Sequence, residues 1–222
     1  MNFNSDPFES VGSFFSASTI ALARDLTLKV IERASQSIKP GWSEEDARFL
    51  IQDLLRSSGF EKSWHAPQIR FGVNTRCAFG ETGVKEVLLG ENDIFFLDLG
   101  PIFQRHEGDV GRTFTVGNDP EMIQASRDAG EIWHQVRNRW FESKASGAEL
   151  YSYAKILAVE RGWELSLKEA NGHRIADFPH AVKQRGTIEE LMFSPAPSRW
   201  ILEIQINHPT RSFGAFFEDL LR

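Results

Sequence analysis

The chain has 222 residues, 41% of them hydrophobic, with 18 Phe and 6 Trp, which is enough apolar material for one sizeable core. A formal net charge of −6, with acids and bases interspersed and no basic stripe, excludes nucleic acid as the expected partner. The single cysteine, Cys77, excludes an internal disulfide and a thiolate zinc motif; no apolar run approaches a membrane span, and MNFNSDPFESVGSFFS lacks the basic and apolar regions of a secretory signal, so a soluble cytoplasmic protein is expected.

Residues 1–15 read as an irregular N-terminal arm. The spacing then predicts a helix from about Ser16 to Ile38, with Leu22, Leu26 and Val30 on one inward stripe and Ile31, Ala34 and Ile38 beside it; Pro40-Gly41 ends it. Ser43 caps a second helix, with Glu44, Glu45 and Asp46 in the first turn, where the helix dipole favours acids. Its buried face is Ala47, Leu50, Ile51, Leu54 and Leu55, and Gly59 closes it. Strands are expected at 67–73, Ile94–Leu99 and Arg112–Val116. Asp119-Pro120 starts a helix running to about Trp140, with Ala125, Ala129, Ile132, Trp133 and Val136 inward. Another helix follows over roughly Ala148–Arg161, then strands at Trp200–Asn207 and Gly214–Leu221.

A faint internal echo links IKPGWSEEDARFLIQDLLRSSGF to SKASGAELYSYAKILAVERGW: a turn, an amphipathic helix, then Gly and an aromatic. Two helices followed by strands, twice over, predict an α+β fold with helices on one face of a largely antiparallel sheet. No Pro/Ser-rich linker interrupts 16–222, which reads as a single domain.

The chemistry-bearing residues form an ordered set: Asp98 in LDLG, Asp109 in GDVGRTF, His173 in NGHRIADFPH, Glu203 in WILEIQI and Glu218 in FFEDLL. Each has an ordinary structural reading alone. Asp98 could partner a buried Arg, Asp109 could be a turn aspartate paired with Arg112, Glu203 could lie on a solvated strand face, Glu218 on an exposed edge, and His173 could be a satisfied structural imidazole. Together they are harder to explain, because a carboxylate in apolar surroundings is costly unless paired. The Gly- and Pro-containing turn GPIFQRHEG can set Asp98 and Asp109 side by side on adjacent strands, where they repel unless protonated or bridged by a cation. Acids with an imidazole suit divalent Mn, Co, Fe or Zn.

The sequence D-L-G, then D-x-x-R-T eleven residues on, then G-H with a second His seven further, then two strand glutamates, resembles the M24 metallopeptidase family over roughly residues 16–222. That family includes methionine aminopeptidases, aminopeptidase P, prolidase and creatinase, all on the pita-bread fold of two pseudo-symmetric α+β halves. The resemblance implies two divalent metal ions. Asp98 would chelate one, Asp109 and Glu218 would bridge both, and His173 and Glu203 would hold the second. His180 corresponds to the histidine that contacts substrate, and Arg112 and Thr113 would orient the carboxylates. The ions, roughly 3.5–4 Å apart, would generate a bridging hydroxide as nucleophile.

The chain also departs from the pattern. Gly72 and Asn74 match a Gly-x-Asn segment, but no histidine follows; His65, in SWHAPQIRFG, either takes that catalytic place from another position or caps the strand. His180, His65 and Glu203 are thus the catalytic candidates. The absence of His-Gly-x-Pro argues against methionine specificity. Arg174 stands where a glycine is usual and is expected to protrude into the cleft or pair with an acid. Without the N-terminal domain that precedes the catalytic unit in prolidase, the cleft is expected to be open or lined by the arm 1–15.

The function implied is a dinuclear metal-dependent hydrolase, an aminopeptidase or dipeptidase with X-Pro peptides among its candidate substrates. The alternatives are a creatinase-like hydrolase of a small non-peptide C–N bond and a non-catalytic peptide- or protein-binding member of the fold. The expected partner is a small peptide or small molecule, with a homodimer left open and neither nucleic acid nor membrane involved.

Overall fold

The computed structural model describes residues 9–178 and 186–222. Ser16 opens helix α1 (Ala17–Ser37) by accepting the Thr19 N–H. Ser43 and Asp46 form a reciprocal capping box for α2 (Glu44–Ser58), and Gly59 ends it at φ 79°, a conformation that glycine adopts without strain. The buried face of α1 is Ile20, Ala23, Thr27, Val30, Ile31 and Ala34. This corrects the expected stripe: Leu22 is exposed, because the turn of α1 that carries it presents Ala23 and Thr27 to the interior instead. Thr27 can be buried because its hydroxyl donates to the Ala23 and Gly108 carbonyls.

The first-half strands are β1 (Lys62–Ser63), β2 (Gln68–Phe71), β3 (Asp93–Leu99), β4 (Pro101–Phe103), β5 (His106–Glu107) and β6 (Val110–Val116). The strand expected at 67–73 stops at Phe71, since Gly72 turns at φ 51° into a short 3-10 segment, Gly72–Arg76. Asn74 pins the loop beyond through Val84 and Glu44.

Asp119 caps α3 (Pro120–Ser143), and Ser146 and Glu149 form a second capping box for α4 (Gly147–Glu160). The inward residues foreseen for α3 are all buried. The chain then forms β7 (Glu164–Ser166), β8 (His173–Arg174), β9 (Trp200–Asn207) and β10 (Gly214–Leu220). Among the described residues no helix is long and apolar enough to cross a membrane.

The main sheet runs β2-β3-β6-β10-β9-β7, with β8 added alongside β9, and these strands pair antiparallel throughout. A twofold between β6 and β10 exchanges β2-β3-β6 with β7-β9-β10, and each set follows its own helix pair, so the two halves are related as the echo implied. Phe95, Leu97 and Leu99 pack with the α1/α2 core, while Leu202, Ile204 and Ile206 pack with α3 and α4. Residues of opposite parity, Asp98 and Glu203, are left on the other face.

Candidate metal centre

Register alone assembles most of the site. Asp98 on β3 is opposite Gly111 on β6, Gly111 is opposite Glu218 on β10, and Glu218 is opposite Glu203 on β9. One row across four strands therefore carries three carboxylates. Asp109, two residues before Gly111, rises on the same face. His173 enters from β8, opposite Ile201, and His65 comes from the turn before β2. Asp109 is the centre of the group: its Oδ1 lies 3.2 Å from His65 Nε2 and its Oδ2 3.1 Å from His173 Nε2. His65 Nε2 is also 3.6 Å from Asp98 Oδ1, and His173 Nε2 is 3.3 Å from Glu218 Oε1. The ligand atoms form two trios, His65–Asp98–Asp109 and Asp109–His173–Glu218, each within 4.8 Å. Glu203 is held by the Gly172 N–H, which donates to its Oε2 at 2.7 Å.

The sequence set Asp98, Asp109, His173, Glu203 and Glu218 thus converges, and the ordinary structural readings of Glu218, Glu203 and Asp109 fail. Glu218 is 2% exposed on a strand inside the sheet, not on an edge, and Glu203 and Gln205 on the supposedly solvated face are buried. Asp109 pairs with two imidazoles rather than with Arg112. His180 falls within 179–185, outside the described residues.

Arg112 and Thr113 differ from expectation. Arg112 points to the opposite face, where its guanidinium bonds the Gly111 and Glu218 carbonyls and the Asp219 carboxylate, which Arg24 also grips. The Thr113 hydroxyl donates to the Phe216 carbonyl and accepts the Phe216 N–H. Because β6 and β10 share the single register pair Glu218–Gly111, these side chains stitch the two halves together and fix the backbone beneath Glu218. They touch none of the site carboxylates directly. Arg174 does not line the cleft, and among the described residues it forms no ion pair with an acid: it is buried, donates to the Arg199 and Ser10 carbonyls, and lies over Trp200. Burial lowers it to about 10.

The electrostatics express a demand for positive charge. Burial pushes Glu203 up to about 8, with Glu218 adding to the effect, and raises Asp98 to about 7 despite His65. Glu218 rises well above the usual carboxylate range, through burial and then Asp109 and Asp98. Burial works against ionised Asp109, yet the two imidazoles outweigh it and hold its carboxyl down at about 2. Burial would likewise lower His65, but Asp98 and Asp109 raise it to about 10. Among the described residues, Asp98 Oδ1 and Glu218 Oε2 are buried and accept no hydrogen bond. Crowded oxygens with free lone pairs beside imidazole nitrogens fit divalent cations.

Above this floor is a cleft of about 210 Å³, walled by Trp64, Phe79, Glu169, Asn171 and Thr187. Sequence reasoning passed over Trp64 and Phe79, whose rings flank His65 at 4.6 and 5.6 Å, since an aromatic in a loop carries no chemical signature. The cleft lining does not include the described part of the arm, whose Gly12 and Phe14 N–H groups donate to Asp177.

Two pseudo-symmetric helix-and-sheet halves with acids converging where they join define a pita-bread protein, and divalent metal is the cofactor class such a floor fits. The family model described as metallopeptidase family M24 matches residues 18–221, and the chain belongs to that family. It is 24% identical to the Xaa-Pro dipeptidase of Pyrococcus horikoshii over 192 residues, covering 79% of this chain and 53% of that protein. For the Xaa-Pro dipeptidase of Pyrococcus furiosus the identity is 25%, covering 79% and 54%. The chain therefore spans about half the length of the curated relatives it matches. Among solved structures, the Pyrococcus furiosus prolidase superposes with a TM-score of 0.72 at 19% identity, over 91% of this chain and 59% of that one. The methionine aminopeptidase of Thermotoga maritima gives 0.70 at 14% identity, over 94% of each chain.

Proposed function

We propose that this chain is the hydrolytic unit of a dinuclear metal-dependent aminopeptidase or dipeptidase, with Xaa-Pro peptides as the first substrate class. The observation carrying this reading is the sharing of Asp109, which turns one carboxylate oxygen toward each of two ligand trios. Four carboxylates, Asp98, Asp109, Glu203 and Glu218, would balance two dications, drawn from Mn, Co, Fe or Zn. Asp98 would hold one ion, Asp109 and Glu218 both, and His173 and Glu203 the second. Bound there, the ions would supply polarisation of the scissile carbonyl and activation of the attacking water.

The protein's own groups do the rest. The Gly172 N–H fixes Glu203 through Oε2, leaving Oε1 to take the water's proton and return it to the departing nitrogen. Trp64 and Phe79 narrow the cleft and limit water around the reacting bond. His180 is assigned to substrate contact by its place in the motif. The Xaa-Pro preference draws on the relatives' activity and on the absence of the methionine-specific His-Gly-x-Pro.

The test is metal analysis of the purified protein beside a panel of Xaa-Pro, Met-Xaa and other dipeptides and creatine, with added Mn or Co. Two bound ions and turnover of a dipeptide are expected, and Asp109→Ala should lose both together. Retention of metal and turnover by Asp109→Ala refutes the site. Two bound ions with turnover of creatine alone would replace the peptidase reading with the creatinase-like one.

A further inference from the structure

We propose that His65 is itself a metal ligand, so that each ion of the pair is held by one imidazole; this rests on the dinuclear reading above and adds a ligand to it. His65 and His173 are arranged alike around Asp109, at 3.2 Å from one oxygen and 3.1 Å from the other. In both, Nδ1 lies 2.9 Å from a main-chain carbonyl, that of Ala66 for His65 and of Arg174 for His173. A carbonyl only accepts, so each Nδ1 carries a proton, and when a cation takes the place of a proton at Nε2 the neutral ring offers that nitrogen's lone pair to the ion. Nε2 and the carboxylate oxygens facing it need a proton or a cation between them, and a ring locked through its other nitrogen is the usual posture of a ligating histidine.

The surroundings are cut to admit the ring. A Cβ at Gly100 would fall 2.3 Å from both Cδ2 and Nε2 of His65, so only glycine leaves the space. Trp64 and Phe79 pack edge-on to the ring, and the His65 side chain is 7% exposed. Asp98 Oδ1, 3.6 Å from Nε2, is buried and accepts no hydrogen bond, an oxygen aimed at the same spot. The rival arrangement makes His65 an imidazolium counter-ion to the acids. Two imidazolium rings would still leave four carboxylates two charges short, whereas two dications with neutral rings close the balance. An imidazole in both sites also favours Zn, Co or Fe over Mn or Mg.

The test uses the whole protein. Metal-free wild type, His65→Ala, His65→Gln and His173→Ala are titrated with Co²⁺ by calorimetry, and X-ray absorption of the Co-loaded wild type counts imidazoles per ion. Loss of about tenfold or more in affinity at one of two sites is expected for each His65 variant, with the other site retained. The wild-type spectrum should average one imidazole per ion. Two sites of unchanged affinity, with one imidazole shared between two ions, would overturn the proposal and leave the dinuclear reading intact. A wild type that takes up no metal overturns both. If the variants do not fold, the wild-type imidazole count decides by itself.

Discussion

Glycines shape this site as much as the acids do. Gly111 occupies the row position between Asp98 and Glu218, and a Cβ there would lie 2.4 Å from Phe216 Cε1 and 3.0 Å from Glu218 Cβ. Gly111→Ala should therefore displace Glu218 without removing any of the proposed ligands. Overpacking of this kind costs about 1–3 kcal/mol of stability, and misplacing a reacting group by about 1 Å can cost about a hundredfold in rate. Denaturant melts and kcat/KM on a dipeptide check this; unchanged kcat/KM would mean that Glu218 tolerates the shift. At this scale the sequence was informative about which residues converge, because an acid in an apolar strand has few reasons to exist. It was uninformative about direction. Arg112 sits one residue from Gly111, and strand alternation sends it to the helical face, so its role could be read only once strand phase was known. His65 lacked any motif, and its relevance came from a turn that folds back over the sheet.

Capping chemistry, by contrast, is local and was legible. Ser43, Gly59 and Asp119 were each placed correctly from neighbouring residues, because a cap bonds within its own first turn. The stripe of α1 was misjudged at Leu22, since helical spacing offers several faces and the covering strands choose among them. Asp119 carries more than its cap: it accepts the Glu121 and Met122 N–H groups and binds Arg211, which reaches it from the β9–β10 turn. The Arg211 bond, against desolvation and with help from the capped N–H groups, holds the Asp119 carboxyl at about 2 from an ordinary 3.8. A depressed carboxylate stabilises the fold above its unfolded value and ceases to do so as pH falls through the folded one. Asp119→Ala should thus cost about 1 kcal/mol near neutral pH. Its difference from wild type should fade between about pH 4 and pH 2. Thermal melts across that range test the sign, and a gap that widens on acidification would contradict it.

At the level of the whole molecule, the seam between the halves joins stability to function. Its strand order was beyond local sequence, since which strands meet at the centre depends on long-range pairing; the helix echo hinted at two halves without saying how they join. The join is thin in main-chain pairing and is braced from beneath by Asp219, which Arg24 of α1 and Arg112 of β6 both grip. Burial opposes ionised Asp219, but the two guanidiniums hold its carboxyl below the usual range. Asp219→Ala would leave the largely buried Arg112 without a carboxylate and Arg24 with Asp25 alone, a loss of about 3–5 kcal/mol. At about 2–4 °C per kcal/mol for a domain of this size, Tm should fall by roughly 10 °C. Because Asp219 lies under Glu218 on the opposite face and ligates nothing, this variant should still bind metal and should regain part of its Tm when Co²⁺ is added, since an ion that binds only the folded state stabilises it by mass action. Asp109→Ala should show no such recovery. Melts of both variants with and without Co²⁺ separate the brace from the ligands: equal recovery in the two would place Asp109 outside the metal site, and an Asp219→Ala Tm within a degree or two of wild type would mean that the seam is held by something other than this ion cluster.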